Sequence, residues 1–537
     1  MCGILTVIGK NSPDEIKKLS RRMTHRGQDE NGLIQTKNGS VLSHERLSII
    51  DLNTGIQPIP AEDDTWMVHN GEIYNHSKLR SELKNYPFKT KSDSEVIVAL
   101  YKEYGFDFCN KLDGVFAFVV VDDNTFMAAR DPIGVKPLYY GTDKNGKMYF
   151  ASEMKAISDQ CVEMEAFPPG HYYTPKTGFV KYFKPDWTNE FVAKEKIDLP
   201  KLRNALIKAT KKRLMTDVPL GVLLSGGLDS SLIASITKRI LPKNKELHSF
   251  SVGVDELAPD LIAAKKVADF IGTTHHNVVF SIKEGIEAIK KIIWHLETYD
   301  VTTIRAATPM YFLSKYIKST GIKVVLSGEG ADEIFGGYLY FHNAPNAIEF
   351  QKELIQRVQN LSTADCLRAD KSTMAHGIEA RVPFLDKEFL DTAMRIRPTD
   401  KQPDRSIAKA EKHILRAAFD DKENPYLPNE VLWRQKEQFS DGIGYNWIDD
   451  LKQFCEDTVS DREFAKAKEM YPHNTPTTKE AFYFRQLFEE MYPEEHALKT
   501  VKKWIPKWQD SEDPSGRAST MHDDSVIIKT KNIKKRA

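Results

Sequence analysis

A change of pattern near residue 190 constrains the fold of this chain more than any other feature of its sequence. Up to about residue 186 short apolar runs are broken by turns, as in "VFAFVVVDDNTFMAARD" (115–131) and "GTDKNGKMYFASE" (141–153). There Asp-Asn and Asn-Gly separate strand-like segments. Helical stretches lie between them, such as "SDSEVIVALYKEY" from Ser92 to Tyr104, which opens on a capping-type Ser and early acids. Runs of this kind predict an α+β domain built on antiparallel sheet.

From about Leu199 strands and helices alternate. The amphipathic "LPKLRNALIKATKKRLM" is followed by the buried-type strand "VPLGVLL" and then by "SGGLDSSLIASITKRI", which runs from loop into helix. "LHSFSVGV" and "GIKVVLSGEG" are further short strands ending in small residues. That alternation predicts a doubly wound parallel sheet, with ligands beyond the carboxyl ends of its strands. The domains expected are 2–186 and 199–512, joined by a polar linker over 187–198 and followed by a loose tail over 513–537. At 537 residues the chain is too long for one core.

Charge and cysteine usage narrow the function classes. The 76 basic residues balance the 76 acidic ones, which argues against a protein held broadly on nucleic acid. The five cysteines are scattered and form no CxxC pair, so a reducing, cytoplasmic setting is expected rather than a disulfide framework. No apolar run approaches the roughly 18 residues of a membrane span, and the start lacks the regions of a secretion signal.

The strongest motif is "GVLLSGGLDSS" (221–231). A strand ends at Leu224, Gly226 and Gly227 let the backbone turn, and a helix begins near Asp229. Backbone N–H groups at such a junction, with the hydroxyls of Ser225, Ser230 and Ser231, cradle phosphate oxygens. The Walker ending GK[ST] is missing. An aspartate in the cradle repels phosphate unless a divalent cation lies between, so Asp229 implies Mg²⁺. "VLSGEGADEIFGGY" (325–338) repeats the arrangement with Glu329, Asp332 and Glu333. The pair fits one site for a nucleoside triphosphate, its metal and a proton acceptor.

The other notable residue is Cys2. With Met1 removed its thiol is a nucleophile and its own α-amine, pKa about 7.7–8.0, a neighbouring base. "HNGEIYNH" offers Asn70 and the Gly71 amide as oxyanion donors, followed by Glu72. "SHERLSIID" offers Arg46 for a bidentate carboxylate contact, and "KSDSEVI" offers Asp93 for a substrate ammonium.

"SGGLDS" resembles the pyrophosphate loop of ATP pyrophosphatases. Together with "SGEGADE", "DVTTIRAATPMY", "EARVPFLD" and "WRQKEQFSDGIGYNWI" it resembles the glutamine-hydrolysing asparagine synthetases, from Met1 to about Arg517. Cys2, Arg46, Asn70–Glu72 and Asp93, with "HRGQD" and "RDPIGVKPLYY", resemble the class II glutamine amidotransferase domain, an N-terminal-nucleophile αββα sandwich. One departure is Gln28, where the family usually has Pro.

The resemblance implies ATP-dependent amidation of aspartate with glutamine as nitrogen donor, in a homodimer. It implies glutamine contacts from Arg46, Leu47, Ser48, Ile49, Ile50, Asn70, Gly71, Glu72 and Asp93. It implies ATP contacts from Leu224, Ser225, Gly226, Gly227, Asp229, Ser230, Val252, Ser327 and Gly328, with metal at Asp229 and Asp332. Glu329 would take a proton from attacking ammonia and Lys436 would stabilise phosphate charge. Thr302, Thr303 and Arg305 would touch aspartate or its adenylate. Sugar-phosphate or phosphoribosyl aminating amidotransferases share only the first half, and a β-lactam-forming relative would be expected to have lost Cys2. A non-catalytic binding protein predicts erosion at Cys2, Asp229, Glu329 or Lys436, and all four are present.

Overall fold

The computed structural model describes residues 2–407, 409–434, 442–444 and 446–509. Lys436 and the expected tail over 513–537 lie outside these residues.

The strands of the first half are β1 (Gly3–Val7), β2 (Glu30–Gln35), β3 (Val41–Arg46), β4 (Ile59–Pro60), β5 (Trp66–Ile73) and β6 (Gly114–Val121). They continue with β7 (Phe126–Arg130), β8 (Tyr139–Thr142), β9 (Met148–Ala151), β10 (Glu163–Ala166), β11 (His171–Thr174) and β12 (Gly178–Lys181). They form two antiparallel sheets, ordered β10-β8-β9-β1-β3-β2 and β12-β11-β7-β6-β5-β4. The period of two along a strand sorts their faces. Ile4 and Leu42 meet Val68, Ala117 and Val119 between the sheets, while Leu5, Val7 and Val41 face the helix Pro13–Ser20 on the outside. The helix Glu95–Tyr104 covers the other sheet, which completes an αββα sandwich.

That second helix starts at Glu95 rather than at Ser92. The Asp93 carboxylate accepts from the Ile73 amide at the end of β5 (2.7 Å), and Glu95 accepts from the amides of Lys89 and Thr90 (2.7 Å each). A tertiary partner takes the acid that the local pattern assigned to the first turn.

In the second half β13 (Leu220–Leu223), β14 (His248–Gly253), β15 (Thr274–Val279), β16 (Val324–Leu326) and β17 (Glu379–Arg381) form one parallel sheet, ordered β15-β14-β13-β16-β17. The order reverses between β13 and β16, which opens a crevice at their carboxyl ends. Helices Leu228–Ile240, Pro259–Ile271 and Ile282–Leu296 follow β13, β14 and β15, Val301–Ser319 leads into β16, and the chain after Tyr340 is mostly helical.

The expected linker does not run free. Trp187 is buried in the second half's core, and Glu195 exchanges backbone hydrogen bonds with Arg395 and Arg397 at 3.0 and 2.9 Å. Buried ion pairs join the halves, among them Arg26–Asp370 (2.8 Å), Lys155–Glu297 (2.9 Å) and Arg381–Glu72 (3.0 Å).

Candidate active sites

Cys2 precedes the central strand β1, with its side chain buried. Its backbone nitrogen donates to Asn70 Oδ1 (3.0 Å), its thiol to the Leu47 carbonyl (3.9 Å), and its carbonyl accepts from Arg26 Nε (3.0 Å). Burial pushes the thiol pKa up, and the nearby Leu47 contact and Arg46 charge oppose this. The opposite end of the Asn70 amide, Nδ2, is buried with no hydrogen-bond partner among the described residues. An unpaired buried donor costs about 1–3 kcal/mol, which a ligand oxygen would relieve. Gly71 follows with φ 147°, and a Cβ there would lie 2.0 Å from the Val115 carbonyl oxygen.

Glu72 completes the strand end. Its Oε1 lies 3.0 Å from Arg381 Nη2, and its Oε2 is buried without a hydrogen-bond partner among the described residues. Burial raises its pKa well above the carboxylate range, Arg381 opposes, and Glu379 and Asp93 add to the rise. Burial also pushes Asp93 up to about 6, against the Ile73 amide. The structure thus brings Cys2, Asn70, Gly71, Glu72 and Asp93 to one end of β5.

Arg46 is differently engaged. Nη1 donates to Glu30 Oε2 (2.5 Å) and Nη2 to the Asp51 carbonyl (2.7 Å), so a substrate carboxylate would have to replace Glu30. Leu47, Ser48 and Ile49 are buried and Ile50 half-buried in the loop that follows, where the Ser48 amide donates to Asp29 Oδ2 (2.7 Å).

The second site is a cavity of about 150 Å³ at the carboxyl ends of β13, β14 and β16. Leu224, Ser225, Gly227, Asp229, Ser230, Val252, Ser327, Gly328, Glu329 and Asp332 all line it. The Ser225 and Ser230 hydroxyls bond to each other (3.0 Å), and Gly227 is the N-cap of the helix Leu228–Ile240. Gly226 has φ 74°, with Ala263 Cβ 2.5 Å from where its Cβ would be. The two loops abut: a Cβ on Gly328 would lie 2.7 Å from the Ser230 amide nitrogen and 2.9 Å from Asp229 Cβ.

Between the two loops lies Lys412, which no motif in the sequence marks. Its buried ammonium pairs with Asp229 Oδ2 and, at 2.6 Å, with Asp332 Oδ1. Glu329 Oε2 accepts from Arg368 Nη2 (2.8 Å), and Arg368 also holds Asp365 (2.8 Å). Burial raises the Glu329 pKa, Arg368 opposes, and Asp365 and Asp332 reinforce the rise. The Tyr338 hydroxyl donates to Glu333, whose pKa burial raises strongly.

Of the three residues expected at aspartate or its adenylate, only Thr302 lines this cavity. Thr303 is turned onto Asp300, its amide and hydroxyl donating to Oδ2 at 2.9 and 2.7 Å. Arg305 lines an adjoining cavity of about 510 Å³ and forms a buried two-point pair with Glu480, with Nε 2.8 Å from Oε1. A buried guanidinium takes the nearest carboxylate because leaving it unpaired costs several kcal/mol.

Residues 1–178 match the glutamine amidotransferase domain family, and 201–350 with 345–512 match the asparagine synthase family. A probable glutamine-hydrolyzing asparagine synthetase of Dictyostelium discoideum is 53% identical, over 97% of this chain and 99% of that one. The chain belongs to the glutamine-hydrolysing asparagine synthetase family. Asparagine synthetase 1 of Arabidopsis thaliana is 52% identical over 97% of this chain and 94% of its own, and the Zea mays enzyme 50% over 99% and 95%.

Among the residues lining this cavity, Lys412, Arg368 and Asp365 are three that sequence alone did not single out. Lys412 and Arg368 are long cations without a local motif.

Proposed function

We propose that the chain makes asparagine from aspartate, ATP and the amide nitrogen of glutamine, with residues 2–186 hydrolysing glutamine and 199–512 carrying the ATP chemistry. The observation that carries this reading is one chain holding two sites of different chemistry. A buried thiol's own backbone nitrogen bonds an amide whose other end has no hydrogen-bond partner among the described residues, and two Ser-Gly loops abut over a cavity lined by acids. Membership of the family supports the pairing of the two reactions.

In the first site Cys2, freed of Met1, passes its thiol proton to its own amine and attacks the glutamine amide carbon. Asn70 Nδ2 and the Gly71 N–H donate to the oxyanion. Ammonia leaves, and water hydrolyses the glutamyl thioester. Asp93 and Glu72 receive the substrate's ammonium end, and Arg46 its carboxylate once Glu30 yields. Loop 47–50 supplies the remaining contacts.

In the second site the aspartate side chain attacks the α-phosphorus of ATP, giving β-aspartyl-AMP and pyrophosphate. Ser225–Ser230 hold the pyrophosphate, and Leu224, Val252, Ser327 and Gly328 hold the nucleoside end. Thr302 faces the adenylate, while Thr303 and Arg305 act from behind through Asp300 and Glu480. Ammonia then displaces AMP, with Glu329 accepting a proton. Protonated ammonia has no lone pair, so efficient coupling requires transfer inside the protein. Lys436 neutralises phosphate charge in this scheme.

Asp229 and Asp332 are a hard-oxygen pair already held around one cation, the Lys412 ammonium. This fits Mg²⁺, which commonly takes one or two carboxylates and completes its shell with phosphate oxygens and water. Among the described residues no three His, Cys, Asp or Glu side chains gather as a metal set. The ion would neutralise pyrophosphate charge when bound. We also assign the protein to the cytoplasm and to a homodimer: all five cysteines are free thiols, which supports a reducing compartment, and the family resemblance supports the dimer. No helix of the described residues is long and apolar enough to cross a membrane.

The test compares glutamine with ammonium chloride as nitrogen donor in wild type and Cys2→Ala. The variant should lose glutamine-dependent asparagine formation and keep the ammonia-dependent reaction. Loss of both in equal measure overturns this division of labour.

A further inference from the structure

The helix Asp365–Met374 buries four charged residues, Asp365, Arg368, Asp370 and Lys371. Burying charge costs several kcal/mol per ion, and an apolar helix would join the two halves as firmly. The directions of these side chains give the four charges a use. Arg368 faces the second site and holds Glu329 (2.8 Å). Two residues on, Asp370 Oδ2 reaches Arg26 Nη2 of the first half (2.8 Å), with Lys136 Nζ 4.0 Å from Oδ1. Lys371 anchors the helix to Glu297 and to the Tyr139 hydroxyl (2.9 Å). Arg26 in turn gives Nε to the Cys2 carbonyl (3.0 Å) and Nη1 to Glu153 (2.8 Å). Two side chains therefore separate this helix from the main chain of Cys2.

We propose that Asp370 is a positioning residue for the Cys2 nucleophile. It orients the Arg26 guanidinium, Arg26 orients the Cys2 carbonyl, and the carbonyl sets the directions in which the thiol and amine leave Cα. The first site is thereby aligned from the same rigid turn that holds Glu329 in the second. This role rests on Cys2 being the glutaminase nucleophile, as proposed above.

The test is Asp370→Asn in the full-length chain, which removes the charge at nearly constant size. Small misplacements of reacting groups cost large rate factors, so kcat for glutamine hydrolysis should fall about tenfold or more. KM for glutamine should stay within about twofold, because uniform substrate binding is untouched. Ammonia-dependent synthesis should be retained, and Asp370→Glu should restore most of the lost kcat. Cys2→Ala assayed in parallel separates the two assignments: glutaminase activity in that variant would sink the nucleophile itself. With that control inactive, an unchanged kcat in Asp370→Asn, or an equal fall of the ammonia-dependent rate, overturns the role of Asp370. Should Asp370→Asn not accumulate as folded protein, Arg26→Lys keeps the charge and removes the Nε donor. It should show the same kcat loss at unchanged KM, and a wild-type kcat there also overturns the proposal.

Discussion

The backbone nitrogen of Cys2 donates to Asn70 Oδ1 at 3.0 Å, while the other end of the same amide, Nδ2, is buried without a hydrogen-bond partner among the described residues. Asn70→Ala removes both. Loss of one oxyanion donor costs about 10²–10³ in kcat, so glutamate release should fall by that order with ammonia-dependent synthesis intact. A loss below about threefold would exclude Asn70 from oxyanion binding.

Gly328 should report on the second site alone. A Cβ there would lie 2.7 Å from the Ser230 amide nitrogen, so Gly328→Ala must push the two Ser-Gly loops apart. We expect KM for ATP to rise about tenfold or more while glutamine hydrolysis stays near wild type. Steady-state kinetics with each substrate varied in turn would show it, and an unchanged ATP KM would mean that the loops tolerate separation.

The Arg368–Glu329 pair predicts a shift in pH dependence. Burial raises the Glu329 pKa and Arg368 holds the rise back. As the proposed base, Glu329 would accept a proton only when ionised, so the rate should fall as pH drops through its pKa. In Arg368→Gln that acid limb should move to higher pH. Ammonia-dependent synthesis measured across pH at constant free ammonia tests this, and a limb that stays put or moves down rules out Glu329 as its source.

Asp386 predicts an acid-stability difference. Burial pushes its carboxyl pKa up, but Arg213 (2.5 Å) and Lys212 (3.1 Å) outweigh this and bring it to about 2. A folded-state pKa below the unfolded value of about 3.9 stabilises the fold above that value, and the gain is lost as pH falls toward the folded pKa. Asp386→Asn should therefore cost about 2–3 kcal/mol at neutral pH, a gap that closes between about pH 4 and 2. Urea midpoints for both proteins at pH 7 and pH 3 would measure it; a constant gap contradicts the assignment.

Contiguous motifs are legible from the order of residues alone. Asn70, Gly71 and Glu72 share one strand end, and Ser225–Ser230 and Ser327–Asp332 are each one turn running from a strand into a helix, so neighbours in sequence are neighbours in the site. The unbroken apolar run "VFAFVVV" placed β6 in a core, and the strand–helix alternation specified a parallel sheet whose switch point holds the cavity. Sequence by itself thus determined the two fold types and the backbone-borne parts of both sites. The partners of long charged side chains were decided only in three dimensions. Arg305 belongs to Glu480, Arg46 to Glu30, and Lys412 to Asp229 and Asp332. Asp370 likewise reaches Arg26 in the other half of the chain. A sequence shows that a residue carries charge, but which opposite charge it meets depends on which loops converge. Once the surroundings exclude water, a charge without a partner costs more than the fold can tolerate.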